Sequence, residues 1–504
     1  MTAQHDIQVM MQAVHRGRLS RREFMQRALA LGCSASAAGG FLTACGTPAA
    51  TAVPTVAPTA TKAAAGASSA PSVAPATGGG ATATAAPAGS VPSAAASSST
   101  RAAATPTSGA TPAGDTAPTT ATRIGVTDTE IKLGCWGPQD GPAGAYGVIS
   151  RTIDAYFKWV SNNGGIEGRK ITFINENDSY QPAKTVAAVK KMVEDDKVFA
   201  LVGGLGTANN LQVIDYLIQN NVPHLAPSTG SGLLANPVRP NVFAVQLNYS
   251  IEAALLARYA IETLGAKKVA IFFQNDAFGK EGLDAAQGEL KKKGLAATEV
   301  SYETTDKDFS AQALKLQASG ADTVILYAVP APGGGIIKAM TTGGFKPKLL
   351  ASSVINDPTI FDLAGPGIDG MLLGAWLPSY DDLGDPKIVE FQNWMKANAP
   401  NEQAAAFAET GYTYAMIMTE LLKRTGKDLT RERFIQTANG LQNYTASLVP
   451  NLSYAPTDHS GVKAMYFQQA KVADKKFVKI TDFIELKSNS SRDGEEGGTG
   501  EGEG

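Results

Sequence analysis

Cysteine and histidine are scarce in this 504-residue chain, which has three of the former and four of the latter. Three thiols cannot build a disulfide framework. No pair of the histidines stands at metal-ligand spacing, so the sequence offers no zinc-type centre. A long apolar run is also missing. The apolar stretch that follows Arg21-Arg22 is too short and too rich in glycine for a stable membrane span. Neither sign of charge dominates: 44 Lys and Arg stand against 46 Asp and Glu, a net charge of −2. That balance gives no reason to expect a nucleic-acid partner. There is no nucleophile elbow and no convincing Ser/His/Asp set. The expectation is a chain without a cofactor and without catalysis.

What is present begins with an address. Ser20-Arg21-Arg22-Glu23-Phe24-Met25 is a twin-arginine pattern, and Leu42-Thr43-Ala44-Cys45-Gly46 resembles a bacterial lipoprotein box. Residues 1–44 therefore read as a signal peptide, with Cys45 as the lipidated first residue of the mature chain. Cys33 leaves with the signal, and Cys135 remains as a small apolar residue. From Gly46 to Thr122 the chain has no Leu, Ile, Phe, Tyr, Trp or Met. Such a segment cannot bury enough apolar surface to offset the entropy of ordering, so 45–122 reads as a tether. Residues 488–504 read as a second, acidic and Gly-rich tail.

Between them, strand and helix patterns alternate. "EIKLGCWG" is followed by a helical repeat of Val148, Ile149, Ile153, Tyr156, Phe157 and Val160, and "KITFINEND" by a helix opening at Pro182. "KVFALVGG" is a short continuous apolar run, as expected for a strand buried on both faces. The rhythm restarts near Lys267. The fold class expected is α/β: two Rossmann-like lobes with parallel sheets. In such sheets ligands lie beyond the carboxyl ends of the strands. The loops so indicated are Trp136–Gly147, Asn177–Tyr180, Gly203–Asn210, Pro227–Gly232, Gln274–Gly279, Val329–Gly335 and Ser352–Asp357.

The loop Gly203–Asn210 begins like a dinucleotide cradle, but the fingerprint is incomplete. Asn209 stands where a third small residue is wanted, and no acid ends the next strand, "NVPHLAPST". His224 in that strand reads as structural.

The pieces "IKLGCWGPQDGPAGAYG", "NGGIEGRKI", "NVPHLAPSTGSGLL" and "NDAFGKEGLDAAQGELKKKG", in this order, resemble the type I periplasmic binding proteins. The branched-chain amino-acid (leucine/isoleucine/valine) binding members of ABC importers are the nearest subset, and the likeness covers nearly all of Arg123–Lys487. The resemblance implies two lobes joined by a three-stranded hinge and closing on a ligand. Lobe 1 would be 123–247 plus 375–451, and lobe 2 would be 248–374 plus 452–487. The crossings would fall near Gln246–Asn248, Gly374–Pro378 and Leu452–Pro456. It also implies roles by position. Thr207, Ser228 and Gly230 match the residues that hold a ligand carboxylate, with Ser231 as a neighbour. Tyr146 and Phe278 match aromatic contacts, and Trp136 is a further candidate for an apolar wall. Where those members use an acid against the ligand ammonium, this chain has Ser353, with Asp357 close by. The ligand class is therefore left open between an amino acid, an amide and an aliphatic or aromatic carboxylate. The partners implied are that small molecule, a permease with its ATPase, and a membrane reached through the lipid on Cys45. The place implied is the outer face of the cytoplasmic membrane. A ligand sensor serving a separate receptor is the alternative, and a dinucleotide-dependent enzyme the remote one.

Overall fold

The computed structural model describes residues 123–486. The signal segment, Cys45, the tether and the acidic tail lie outside the described residues.

The first sheet has the order β2-β1-β3-β4-β5 and is parallel throughout. Its strands are β1 (Glu130–Trp136), β2 (Lys170–Glu176), β3 (Ala200–Val202), β4 (His224–Leu225) and β5 (Val242–Phe243). The central β3 is buried along its whole length, as a continuous apolar run requires when helices cover both faces. Helix α1 (Gly147–Asn162) buries Ile149, Ile153, Phe157 and Val160, the stripe read from the sequence. It ends where Gly165, at φ +69°, turns its N–H back to Val160 O. Helix α2 (Pro182–Lys190) starts on its proline and runs on as a π-helical turn, 191–195. Helix α3 (Thr207–Gln219) follows β3.

The second sheet has the order β12-β11-β10-β9-β8-β6-β7, with β13 on β11. Its parallel part is β6 (Val269–Gln274), β7 (Ala297–Tyr302), β8 (Thr323–Tyr327), β9 (Lys348–Ala351) and β10 (Leu372–Ala375). Helices α4 (Tyr249–Glu262), α5 (Ala277–Lys292), α6 (Ser310–Ala318), α7 (Pro330–Thr342) and α8 (Thr359–Ala364) belong to it. The purely parallel expectation fails at one edge. Strands β11 (Ala464–Lys471), β12 (Lys476–Lys479) and β13 (Ile484–Glu485) pair antiparallel. The link from β11 to β12 is a short turn with Lys475 left-handed, and so short a link can join only antiparallel neighbours. The expected loop Val329–Gly335 is also corrected: α7 starts at Pro330, whose fixed φ suits a first helical position.

After β10 the chain returns to the first sheet with α9 (Pro386–Asn398), α10 (Ala406–Thr425) and α11 (Arg431–Asn439). Helix α10 crosses α1 closely, because a Cβ on Gly411 would stand 2.4 Å from Ile149 O. The buried Arg431 guanidinium donates to Val198 O at 2.7 Å, Phe199 O at 2.9 Å and Asn220 O at 3.0 Å, fixing α11 to the end of β3. Between the two sheets the chain passes at 246–248, at 376–378 and at 459–463. The last of these runs beside the first, with Ala244 N donating to His459 O and Val462 N to Val245 O, both at 3.0 Å. Leu452 still pairs with Tyr444 beside the first sheet, so this passage falls later than the stretch Leu452–Pro456 expected from the sequence.

Candidate functional site

Helix α3 begins on Gly206, whose φ of +97° would strain any residue with a side chain. The first backbone donor to reach back is Asn210, to Gly206 O at 3.0 Å. The amides of Thr207, Ala208 and Asn209 therefore precede the helical ladder, and the helix dipole adds positive potential there. The Thr207 hydroxyl does not cap its helix. It shares a 2.7 Å hydrogen bond with Thr229 Oγ1. Ser228 Oγ is buried and has no partner among the described residues. Two hydroxyls and a helix start thus converge on one spot that suits an anion.

The spot opens into a cavity between the two sheet systems. About 670 Å³ of empty space lies there, mouth included. From the first system come Tyr146, Tyr180, Leu205, Thr207, Ser228, Phe407, Glu409 and Thr410. From the second come Tyr249, Phe278, Val329, Ser353, Val354 and Asn356. Gln246 and Trp376 line it from the connecting segments.

Hydrogen bonds span the cleft around it. Tyr146 Oη donates to Val354 O at 2.7 Å. Gln274 Nε2 donates to Tyr180 Oη at 3.2 Å, while Tyr302 Oη donates to Gln274 Oε1 at 2.9 Å. Glu281 of α5 accepts from Ser231 Oγ at 2.6 Å and from Gly232 N at 2.8 Å. Tyr180 is held out toward Gln274 by two successive left-handed residues, Ser179 at φ 48° and itself at φ 61°. Asp178 anchors that turn by accepting from Tyr180 N, Thr185 Oγ1 and Asn209 Nδ2. Strain of this kind persists where surrounding contacts over-determine it.

Of the residues singled out from the sequence, Tyr146, Thr207, Ser228, Phe278 and Ser353 come together at the cavity. The others do not. Trp136 is wholly buried, donates to Leu205 O and packs at a tilt against His224, with ring centroids 5.0 Å apart. It forms the floor under the loop: a Cβ on Gly204 would lie 2.3 Å from its ring. The close approach permitted by Gly204 is thus to Trp136, not to a ligand. Gly230 O accepts from Tyr249 N, Ser231 is held by Glu281, and Asp357 Oδ1 accepts from Thr359 N at the start of α8. Desolvation drives the His224 imidazole down to about 3, so it stays neutral.

Reasoning from sequence missed Tyr180, Gln246, Tyr249, Trp376, Phe407 and Glu409. Tyr180 lay in an indicated loop, and Gln246 and Trp376 lay in or beside the indicated crossings. Glu409 had the weakest signal, a single acid inside the apolar helix "AAFAETGYTYAM". It is 2 % exposed, and its Oε1 has no partner among the described residues. Burial first, and then Asp381 and Asp385, push its carboxyl well above the ordinary value. Among the described residues, no Lys, Arg or His lines the cavity.

A cavity between two α/β systems, with a helix start and two hydroxyls on one wall and aromatic rings around it, fits a two-lobed solute-binding protein. The comparisons agree. The family model described as periplasmic binding protein matches residues 130–476, and the chain belongs to that family. It is 27% identical over 330 residues to the "Leu/Ile/Val-binding protein homolog 3" of Brucella melitensis, covering 63% of this chain and 87% of the relative. A substrate-binding periplasmic protein from Ralstonia solanacearum superposes with a TM-score of 0.65 at 25% identity, covering 69% of this chain and all of that one (100%). A branched-chain amino-acid ABC transporter protein from Thermus thermophilus with bound valine shares the fold, with a TM-score of 0.64 at 21% identity over 72% of this chain and 98% of that one. The fold is that of the type I periplasmic binding proteins, and the family is one of solute binders rather than enzymes. Among the described residues, no helix is long and apolar enough to cross a membrane and no acid, His or Cys cluster could hold a metal.

Proposed function

We propose that this protein is the extracytoplasmic substrate-binding lipoprotein of an ABC importer, capturing an amino acid or a related small carboxylate or amide. The observation that carries the reading is the cavity with Thr207, Ser228 and the α3 start on one side and Tyr249, Phe278, Val329, Ser353, Val354 and Asn356 on the other. A carboxylate taken out of water needs several donors, and these groups supply them. The relatives' names point to the same solute class. Residues 123–245 plus 379–458 act as the lobe that receives the ligand. Residues 249–375 plus 464–486 act as the lobe that closes over it, turning on 246–248, 376–378 and 459–463. The closed form docks on a permease whose ATPase supplies the energy, and the lipid on Cys45 keeps the domain near that permease.

Thermal-shift screening of amino acids, amides and small carboxylates tests the reading. A ligand present at 100 times its Kd should add about 2.7 kcal/mol of stability. A panel in which no small solute raises the melting temperature refutes solute capture. Loss of uptake of a verified ligand on deletion of the chain tests the transport role.

A further inference from the structure

We propose that Glu409 recognises a cationic nitrogen on the bound solute, so that the receiving lobe selects both the negative and the positive end of its ligand. This rests on the solute-capture reading above. Glu409 sits in the first turn of α10, on the same lobe as Thr207 and Ser228. It lines the cavity, it is almost fully buried, and its Oε1 is without a partner. An unpaired polar group in such a place normally has a reason to be there, because its desolvation is unfavourable. Gln246 Oε1, a second acceptor lining the same cavity, is also buried without a partner. Two idle acceptors with no basic side chain beside them call for N–H donors carried by the ligand. The rings of Tyr146, Trp376 and Phe407 add faces that attract a cation.

The surroundings favour the same sign. Asp381 and Asp385, from the segment before α9, act on Glu409, and Tyr380 and Tyr466 are the other titratable groups that feel it. With no cation present, that environment disfavours the charged carboxylate. A cationic nitrogen favours it, and any proton the carboxyl holds leaves to solvent as the ion pair forms. From the other lobe Ser353 offers the cavity no acid, and its N–H donates to the buried Glu252 at 2.7 Å.

One chemistry, a protonated amine, has two sources: the α-ammonium of an amino acid and an amine further along the solute. Calorimetry on the intact protein with L-valine, L-ornithine, 4-aminobutanoate and the amine-free 3-methylbutanoate separates them. Binding of L-valine places the α-ammonium on Glu409, whereas binding of only L-ornithine or 4-aminobutanoate places the remote amine there. Glu409→Gln should weaken the amine ligand roughly 30-fold or more, while 3-methylbutanoate is unaffected. Wild-type titrations in buffers of different ionisation enthalpy should show proton release with the amine ligand alone, a readout that does not depend on the variant folding. The assignment is overturned if Glu409→Gln keeps full affinity for the amine ligand, if no proton is released, or if an amine-free solute from the wider screen is the one that binds. If nothing binds at all, solute capture itself fails and this inference goes with it.

Discussion

Removing the Glu281 carboxylate should loosen the closed form without touching the cavity. Glu281 does not line the site, yet its two oxygens reach across the cleft to Ser231 Oγ and Gly232 N at 2.6 and 2.8 Å. A third contact, from Ser250 Oγ at 3.2 Å, lies within its own lobe and holds the carboxylate in place. A hydrogen bond to a charged group contributes about 1.5–3 kcal/mol. Glu281 is half-buried, so water replaces part of that on opening, and a net bias of about 1.5–2 kcal/mol toward closure is reasonable for the pair. Glu281→Ala should then release a verified ligand about 10–30-fold faster, with association little changed. Glu281→Gln, which still accepts from Ser231, should fall between. Stopped-flow fluorescence can follow release through Trp376, which faces the cavity. Small-angle scattering should show a larger ligand-free radius of gyration for Glu281→Ala. An unchanged release rate together with an unchanged radius would refute the assignment of this contact as a latch.

Thr207→Ala combined with Ser228→Ala should abolish calorimetric binding of any carboxylate ligand while the far-ultraviolet spectrum stays native; retained affinity would show that the anion cradle lies elsewhere. The folded Glu409 carboxyl titrates above its ordinary 4.5, so its contribution favours the folded state below pH 4.5 and is lost as pH rises toward the folded value. Glu409→Gln should therefore melt higher than the wild type near pH 7 without ligand, with a gap that grows by about 1.4 kcal/mol per pH unit until the folded value is passed. His224 has the opposite sign. Its folded value of about 3 lies below the ordinary 6.5, so stability is lost as pH falls from 6.5 toward 3, and His224→Gln should flatten the melting profile over that window. Burial raises the Cys135 thiol far above its usual value, so a thiol reagent should react with it in denaturant and leave it untouched in the native state.

The alternation of short apolar runs with helical stripes was enough to read two α/β units, because each run must be buried on both faces and each stripe on one. Loop positions followed from the strand-end rule, and Thr207, Ser228, Tyr146, Phe278 and Ser353, singled out within them by family resemblance, line the cavity. The misplaced residues share a cause. Trp136 ends β1 and Tyr146 stands in the loop after it, but the sequence does not say which ring turns down onto His224 and which turns across the cleft to Val354. Ser231 and Asp357 were the right residue types in the right loops, and their oxygens are occupied by Glu281 and by the Thr359 amide.

Local pattern in the chain thus determined most of the elements, the alternation behind the parallel parts of both sheets and the helix start that suits an anion, since each depends on neighbours within a few residues. Tertiary structure alone decided which groups are left unpaired. Glu409 lies some two hundred residues from Thr207 in the chain, and nothing near it in sequence marks it as more than one acid on a helix. Its chemistry comes from being folded, without a partner, into a cavity that holds no base, and burial and pairing are properties of the packed molecule rather than of the segment.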